Sequence, residues 1–329
     1  MSTKYVRINI PIISNSENWS KNTLPRRRIS IKTFRTIFYF LLLVSFTLNI
    51  FYFTRPKPLP VSELLYTSRI KSKSTETTIN NPLKPVKPVK YSELTDLIIV
   101  PGHGVYQNEL SPTNETSWDI TFKKKDQHKI FLRHIAGGID ALKQHERALL
   151  LFSGTATRPL PTFMTEALGY WLAAKKLNWL TPEIFSRVMT EEFARDSYEN
   201  LLFSICRFYE ITGNYPDRIT VVGFGFKKNR FINLHLKAIR YPKIRFTYIG
   251  IDSDVSPLED KNGELKNGYG PFKKDPYGCS EFLSSKKKSR NPQNKIHGYN
   301  LSSPQLSELI NYCSKGHNDL FSGKLPWDI

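Results

Sequence analysis

Cysteine is scarce in this chain of 329 residues: Cys206, Cys279 and Cys313 are the three present, and none stands in a CxxC pair. Histidine is also thinly spread, since His128, His134, His145, His235, His297 and His317 show no metal-ligand spacing and His103 sits alone in a Gly-His-Gly turn. A zinc site is therefore not expected. Acidic residues are outnumbered, 29 against 48 Lys and Arg, for a formal net charge of +19. Such a balance ordinarily suggests a binder of phosphate backbones. The excess is concentrated, however: eight basic side chains fall in residues 1–36 against Glu17 alone, and eight more in residues 55–90 against Glu63 and Glu76. Residues 91–329 keep a balance of only about +6. Nucleic acid is excluded as a partner on this ground, and anionic lipid is the nearer counterpart of the basic ends.

Charge is absent altogether from IFYFLLLVSFTLNIFYF, residues 37–53. The stretch 37–54 reads as one membrane span, slightly short for the ~30 Å hydrocarbon core at ~1.5 Å per residue and suited to the thin bilayer of the early secretory pathway. The denser basic cluster precedes it, which leaves residues 1–36 as a cytosolic tail and places all that follows in a lumen. That describes a single-pass type II protein of the endoplasmic reticulum or Golgi, with the bilayer as a partner. A buried core helix and a cleaved signal segment are alternatives, but no small-x-small site follows the run. The mitochondrial inner membrane is the rival location, because the first 35 residues are basic and acid-poor; Arg26-Arg27-Arg28 and the missing amphipathic period count against it. Residues 55–90, ending in Pro82-Leu83-Lys84-Pro85-Val86-Lys87-Pro88-Val89-Lys90, form an extended Pro- and Lys-rich stalk.

From residue 91 to 251 short apolar runs alternate with helix-period segments. Strands are expected at 97–100, 148–152, 187–190, 219–222 and 244–251, and helices at 127–145, 162–177, 197–212 and 229–239. Runs without alternation imply burial on both faces. The expected fold is α/β, a Rossmann-like, doubly wound and mainly parallel sheet of about five strands, preceded by the transmembrane helix. The rest, 252–329, reads as a loop-rich extension packed on the domain with one last helix near 304–313.

Polar clusters then fall at one edge of the sheet. Gly102-His103-Gly104 follows the first strand, Ser153-Gly154-Thr155 the second, Glu191 through Asn200 the third, and Lys227 with Arg230 the fourth. Glycines let a backbone approach a ligand, and Lys and Arg supply donors for phosphate or carboxylate. A small anionic ligand is the expected partner. Glu191 and Glu199 would supply a base, since a carboxyl buried beside another can be held protonated, or bind a divalent cation; Ser197 would offer a helix N-terminus. Capping is the competing reading of Asp196 and Glu199, and ordinary turn chemistry that of the glycines.

Over roughly residues 95–240 these clusters resemble the domain-of-unknown-function 218 family. Gly102 and Gly104 match its first turn, Ser153 and Gly154 its second, and Glu166-Ala167 a Glu-Ala pair on the next helix. Glu191, Ala194, Glu199 and Asn200 match its signature, and Arg230 its late Arg. Asp196 stands where the family has Asn, Ser197 where it has Thr, and Lys227 where many members have His. The resemblance implies a Rossmann-type fold, a role in envelope or glycan metabolism, and S-adenosylmethionine or a nucleotide as a cofactor. It implies no shared reaction. An enzyme acting on a phosphorylated, nucleotide-linked or lipid-linked substrate and a non-catalytic small-molecule binder or scaffold both remain open.

Cys279 and Cys313 are candidates for a disulfide pinning the tail, and Asn114 and Asn300 head glycosylation sequons on the lumenal side. The topology predicts a glycosidase-sensitive mobility shift of the full chain that disappears in Asn114→Gln with Asn300→Gln, while Asn18 stays unmodified. A chain without glycan in a secretory-competent host contradicts it.

Overall fold

The computed structural model describes residues 39, 41–45, 88–120, 126–252, 257–314 and 319–328. Two compact units divide the chain, Met1–Pro82 and Leu83–Ile329. In the first, Tyr39 and residues 41–45 are helical, with Leu41, Leu42 and Leu43 exposed. The expected span 37–54 otherwise lies outside the described residues, as do the basic tail and the stalk up to residue 87. Among the described residues no helix is long and apolar enough to cross a membrane.

The second unit is α/β. Its parallel sheet has five strands, β1 (Asp96–Pro101), β4 (Ala148–Ser153), β5 (Val188–Glu191), β6 (Arg218–Gly223) and β7 (Phe246–Gly250), in the order β5-β4-β1-β6-β7. Between β1 and β4 a two-stranded antiparallel ribbon, β2 (Val105–Tyr106) with β3 (Trp118–Asp119), was not expected from the sequence. Two residues per strand are too few to leave an alternating signature. Helix α1 (Gln127–Gln144) and helix α2 (Glu166–Lys176) pack on the face formed by Ile98, Val100, Leu150, Phe152 and Val222. After the short α3 (Pro182–Phe185) and β5, helix α4 (Ser197–Thr212) packs on the opposite face with Leu97, Ile99, Leu149, Leu151 and Val221. Both faces are thus covered by helices, which is why the strands read as unbroken apolar runs.

Strand ends are level at the carboxyl edge: Pro101 pairs with Ser153, and Ser153 with Glu191. Leaving that edge, the chain winds β1→β4→β5 in one direction and β6→β7 in the other, so the winding reverses between β1 and β6. Local chemistry sets the helix starts. Asp196 caps α4, its Oδ1 accepting the Glu199 amide at 2.9 Å, and Gly213 closes the helix in the left-handed conformation at φ 75°. Capping of this kind contributes about 1 kcal/mol, as the competing reading of Asp196 required. Helix α2 begins at Glu166 rather than residue 162, where Thr165 Oγ1 accepts the Leu168 amide at 3.0 Å.

Two expectations need correction. The helix after β6 is composite: a 3-10 turn Gly225–Lys227, an α turn Lys228–Arg230, a π segment Phe231–His235 and an α turn Leu236–Ala238. The extension after β7 carries more helix than expected, with α segments Pro257–Glu264, Gly270–Lys274, Glu281–Ser289 and Tyr299–Ser302 besides the last stretch 304–310, while residues 275–280, 290–298 and 319–328 are irregular. Its Tyr299, Leu306, Leu309, Phe321 and Trp327 enter the same core as α4, and Cys279 and Cys313 are joined by a disulfide. Tertiary burial overrides the weak helix propensity of its Gly, Asn and Pro.

Candidate functional site

The polar groups at the carboxyl edge sort into two layers. The lower layer is buried. Glu191, 1% exposed, accepts hydrogen bonds at Oε1 from the Phe193 amide at 2.8 Å and the Tyr299 hydroxyl at 3.1 Å. At Oε2 it faces the Ser153 hydroxyl at 2.6 Å and the Ala194 amide at 3.4 Å. Ser153 Oγ also lies 2.8 Å from Oδ1 of Asn200. One hydroxyl proton cannot be donated to both. Either Asn200 turns its amide nitrogen to Ser153 and Glu191 is ionised, or Glu191 holds a proton at Oε2 and Ser153 donates to Asn200. Burial pushes the Glu191 carboxyl up to about 7 against the donors around it, so both states lie within reach of neutral pH.

Glu199 is likewise occupied. Its Oε2 accepts from the Arg195 amide at 2.9 Å and Nε at 2.8 Å, its Oε1 from Arg195 Nη2 at 2.6 Å, and Lys287 Nζ stands 3.4 Å away. Although burial opposes ionisation, the Arg195 hydrogen bonds and Lys287 hold this carboxyl below its ordinary range. Lys287 also lies 3.6 Å from Asp196 Oδ2. The carboxylates expected to supply a base are therefore enclosed by donors of their own chain, one tying β4, β5 and Tyr299 together, the other fastening segment Glu281–Ser289 to the start of α4. Ser197 is half-buried, with its Oγ 2.7 Å from Nε2 of the buried His235.

The upper layer gathers Gly102, His103, Gly154, Glu166 and Lys227. His103 follows β1 and Lys227 follows β6, on the two sides of the point where the winding reverses. Lys227 Nζ lies 3.3 and 3.4 Å from the two ring nitrogens of His103 and 5.0 and 5.8 Å from the ring centres of Phe224 and Phe226. Beneath them His134 meets Phe224 edge-on at 4.7 Å, its Nε2 2.8 Å from the Ile251 carbonyl. The turn carrying Lys227 is fixed from outside: a Cβ at Gly225 would come 2.5 Å from Asp252 Oδ2, and the Tyr248 hydroxyl donates to the Phe224 carbonyl at 2.7 Å. Burial, then the charge of Arg230, pushes the Lys227 amine down to about 7. Burial and Lys227 hold His103 well below its ordinary value, so its ring is neutral.

Glu166, the first residue of α2, lies over both glycine turns. A Cβ at Gly102 would collide with its Cβ, and one at Gly154, where φ is 152°, would come 3.0 Å from its Oε2. Its Oε1 accepts from Thr157 Oγ1 at 3.0 Å, and burial raises its carboxyl. The Thr155 side chain is buried, with no hydrogen-bond partner for Oγ1 among the described residues. Gly104 packs under Phe131 instead of reaching the edge. Arg230 is buried beside Glu264, Nε to Oε1 3.1 Å, with its guanidinium over Phe272. Among the described residues no group of three or more His, Cys, Asp or Glu side chains stands together to hold a metal ion.

Sequence reasoning missed Glu264, Lys287, Arg290 and His235. The first three come from the extension, where isolated charges in a lysine-rich stretch carry no spacing signal; His235 lies one helical stretch beyond the motif and acts only through the fold.

Fold and edge together define an α/β protein whose parallel sheet gathers polar side chains at the carboxyl ends of its strands. No family model matches the chain, and no solved structure matches it. It is similar to Uncharacterized protein YOR238W of Saccharomyces cerevisiae, 30% identical over 268 residues that cover 63% of this chain and 87% of the yeast protein. The chain belongs to the family of that yeast protein.

The lower layer predicts a pH signature. With its carboxyl raised from 4.5 to about 7 in the fold, Glu191 holds a proton that the unfolded chain releases. Its contribution is therefore complete below pH 4.5 and is lost as pH rises to about 7, on the order of 3 kcal/mol in all. Denaturant unfolding of the full chain should show wild type losing stability relative to Glu191→Gln across that window. Parallel pH curves for the two proteins contradict the assignment.

Proposed function

We propose that this chain is a single-pass type II membrane protein whose second unit is a Rossmann-like, doubly wound domain related to domain-of-unknown-function 218. In this reading the domain faces the lumen of the endoplasmic reticulum or Golgi. There it binds a phosphorylated, nucleotide-linked or lipid-linked small molecule. The observation that carries the ligand reading is Lys227. Its amine is sequestered against His103 and two phenylalanine rings, with no carboxylate within ion-pair distance among the described residues. A cation sequestered without a counterion is costly unless an anion arrives to pair with it. Its place at the reversal of winding is where ligands of open parallel sheets bind.

The glycine turns take a different part from the one expected. Glu166 fills the space over Gly102 and Gly154, so an anionic group would meet Lys227, with Glu166 positioned to accept from hydroxyls. A nucleotide fits this chemistry, ribose toward Glu166 and phosphate toward Lys227. S-adenosylmethionine would set its sulfonium near a second cation and fits less well. Near neutral pH Lys227 is present in both protonation states, as a general acid or base requires. In an enzyme reading Lys227 therefore takes the proton-transfer role in place of Glu191 and Glu199. One observation favours the alternative, a binder without turnover: those two carboxylates are wholly occupied by structural donors. The Cys279–Cys313 disulfide and the exposed Asn114 support the lumenal placement.

Thermal denaturation of the detergent-solubilised full chain against nucleotides, sugar nucleotides and S-adenosylmethionine separates these ligands. A true ligand at about 100 Kd adds roughly 2.7 kcal/mol, a rise of about 5–10 °C for a chain of this size. The rise is expected with a phosphorylated compound and should vanish in Lys227→Met. No rise with any phosphorylated compound, or a rise retained in Lys227→Met, contradicts the proposal.

A further inference from the structure

Residues 290–293 of the C-terminal extension bridge the two loops that border the site. Arg290, exposed at the end of segment Glu281–Ser289, donates from Nη1 to the Arg195 carbonyl at 2.9 Å, on the loop between β5 and α4. Three residues on, Gln293 Nε2 donates to the Thr162 carbonyl at 2.7 Å and approaches the Arg158 carbonyl at 3.5 Å, on the loop between β4 and α2. That second loop leads directly to Glu166. The bridge is anchored on its near side by Lys287, which sits 3.4 Å from Glu199 and 3.6 Å from Asp196 and donates to the Tyr277 carbonyl at 2.9 Å. Positions 287 and 290 are three apart on one helical stretch and so share the face turned to the β5–α4 loop.

We infer that this strap completes the site, and that Arg290 is a second binding residue that grips the phosphoryl group of the ligand opposite Lys227. The inference rests on the ligand reading above and extends it to a part of the chain that the family resemblance does not cover. Among the described residues the guanidinium has one hydrogen bond, through Nη1, so its Nε and Nη2 edge is available for the fork that matches phosphate oxygens. Its charge is felt in the upper layer, where it favours the ionised form of Glu166 and opposes protonation of Lys227, His103 and Arg230. Arg230, by contrast, is taken up by Glu264, and Arg158 by Asp119 at 3.0 Å. Lys227 and Arg290 are thus the two cations at the site left without a carboxylate in ion-pair contact among the described residues.

Calorimetric titration of the detergent-solubilised full chain with inorganic pyrophosphate tests this. Wild type should bind, Arg290→Gln should weaken binding about 10- to 100-fold, the loss expected for one charge-assisted contact, and Arg290→Lys should recover part of it. Gln293→Ala, which removes the far tether but no charge, should change binding less than threefold. Equal binding by wild type and Arg290→Gln overturns the inference while leaving the Lys227 site intact. A Gln293→Ala loss as large as that of Arg290→Gln overturns it too, because the strap would then act by shape alone. Pyrophosphate binding absent even in wild type removes the phosphate reading and this inference with it.

Discussion

A carboxylate buried among four donors decides where four segments of this chain meet. Glu191 ends β5, and its oxygens take the amides of the next loop, the hydroxyl of Ser153 at the end of β4 and the hydroxyl of Tyr299 from the extension. Removing any partner strands a buried polar group at a cost of about 1–3 kcal/mol. The lower layer is therefore satisfied or broken as a unit, and its register levels the strand ends on which the upper layer stands. Because Tyr299 belongs to the same network, the extension is part of the domain rather than an appendage.

The upper layer obeys the opposite rule. Its cations and its carboxylate are held near one another without pairing, and burial presses each toward its neutral form: Glu166 up, His103 and Lys227 down. Stability gained in the lower layer offsets a site left unsatisfied above it, which is the usual relation between scaffold and function. Proton transfer and anion capture both fit such a site, and each depends on Lys227.

Much of the fold is legible in the sequence, because unbroken runs such as Leu97-Ile98-Ile99-Val100 and Leu149-Leu150-Leu151-Phe152 have one physical use, a strand covered on both faces. The edge is legible too, since glycine turns after such runs must gather at one side of a parallel sheet. What spacing cannot convey is which layer a polar residue joins. Glu191 and Lys227 each stand at the carboxyl end of a strand, yet one points its oxygens at amides of its own loop and the other finds aromatic rings. The extension escapes for another reason: its helices form by burying Tyr299, Leu306 and Leu309 against α4, a contact between residues about a hundred positions apart.

The central claim is that Lys227 is a half-buried cation held at a cost without a carboxylate partner among the described residues, and its titration tests that most directly. With the amine lowered from 10.5 to about 7, the penalty is complete below pH 7 and is relieved as pH rises to 10.5. Unfolding free energies of wild type and Lys227→Met, measured on the full chain from pH 6 to 10, should show the variant more stable at pH 7, on the order of 4 kcal/mol, with the gap closing toward pH 10. A variant less stable than wild type at pH 7, by an amount that does not change with pH, would show Lys227 to be an ordinary paired cation and contradict the account.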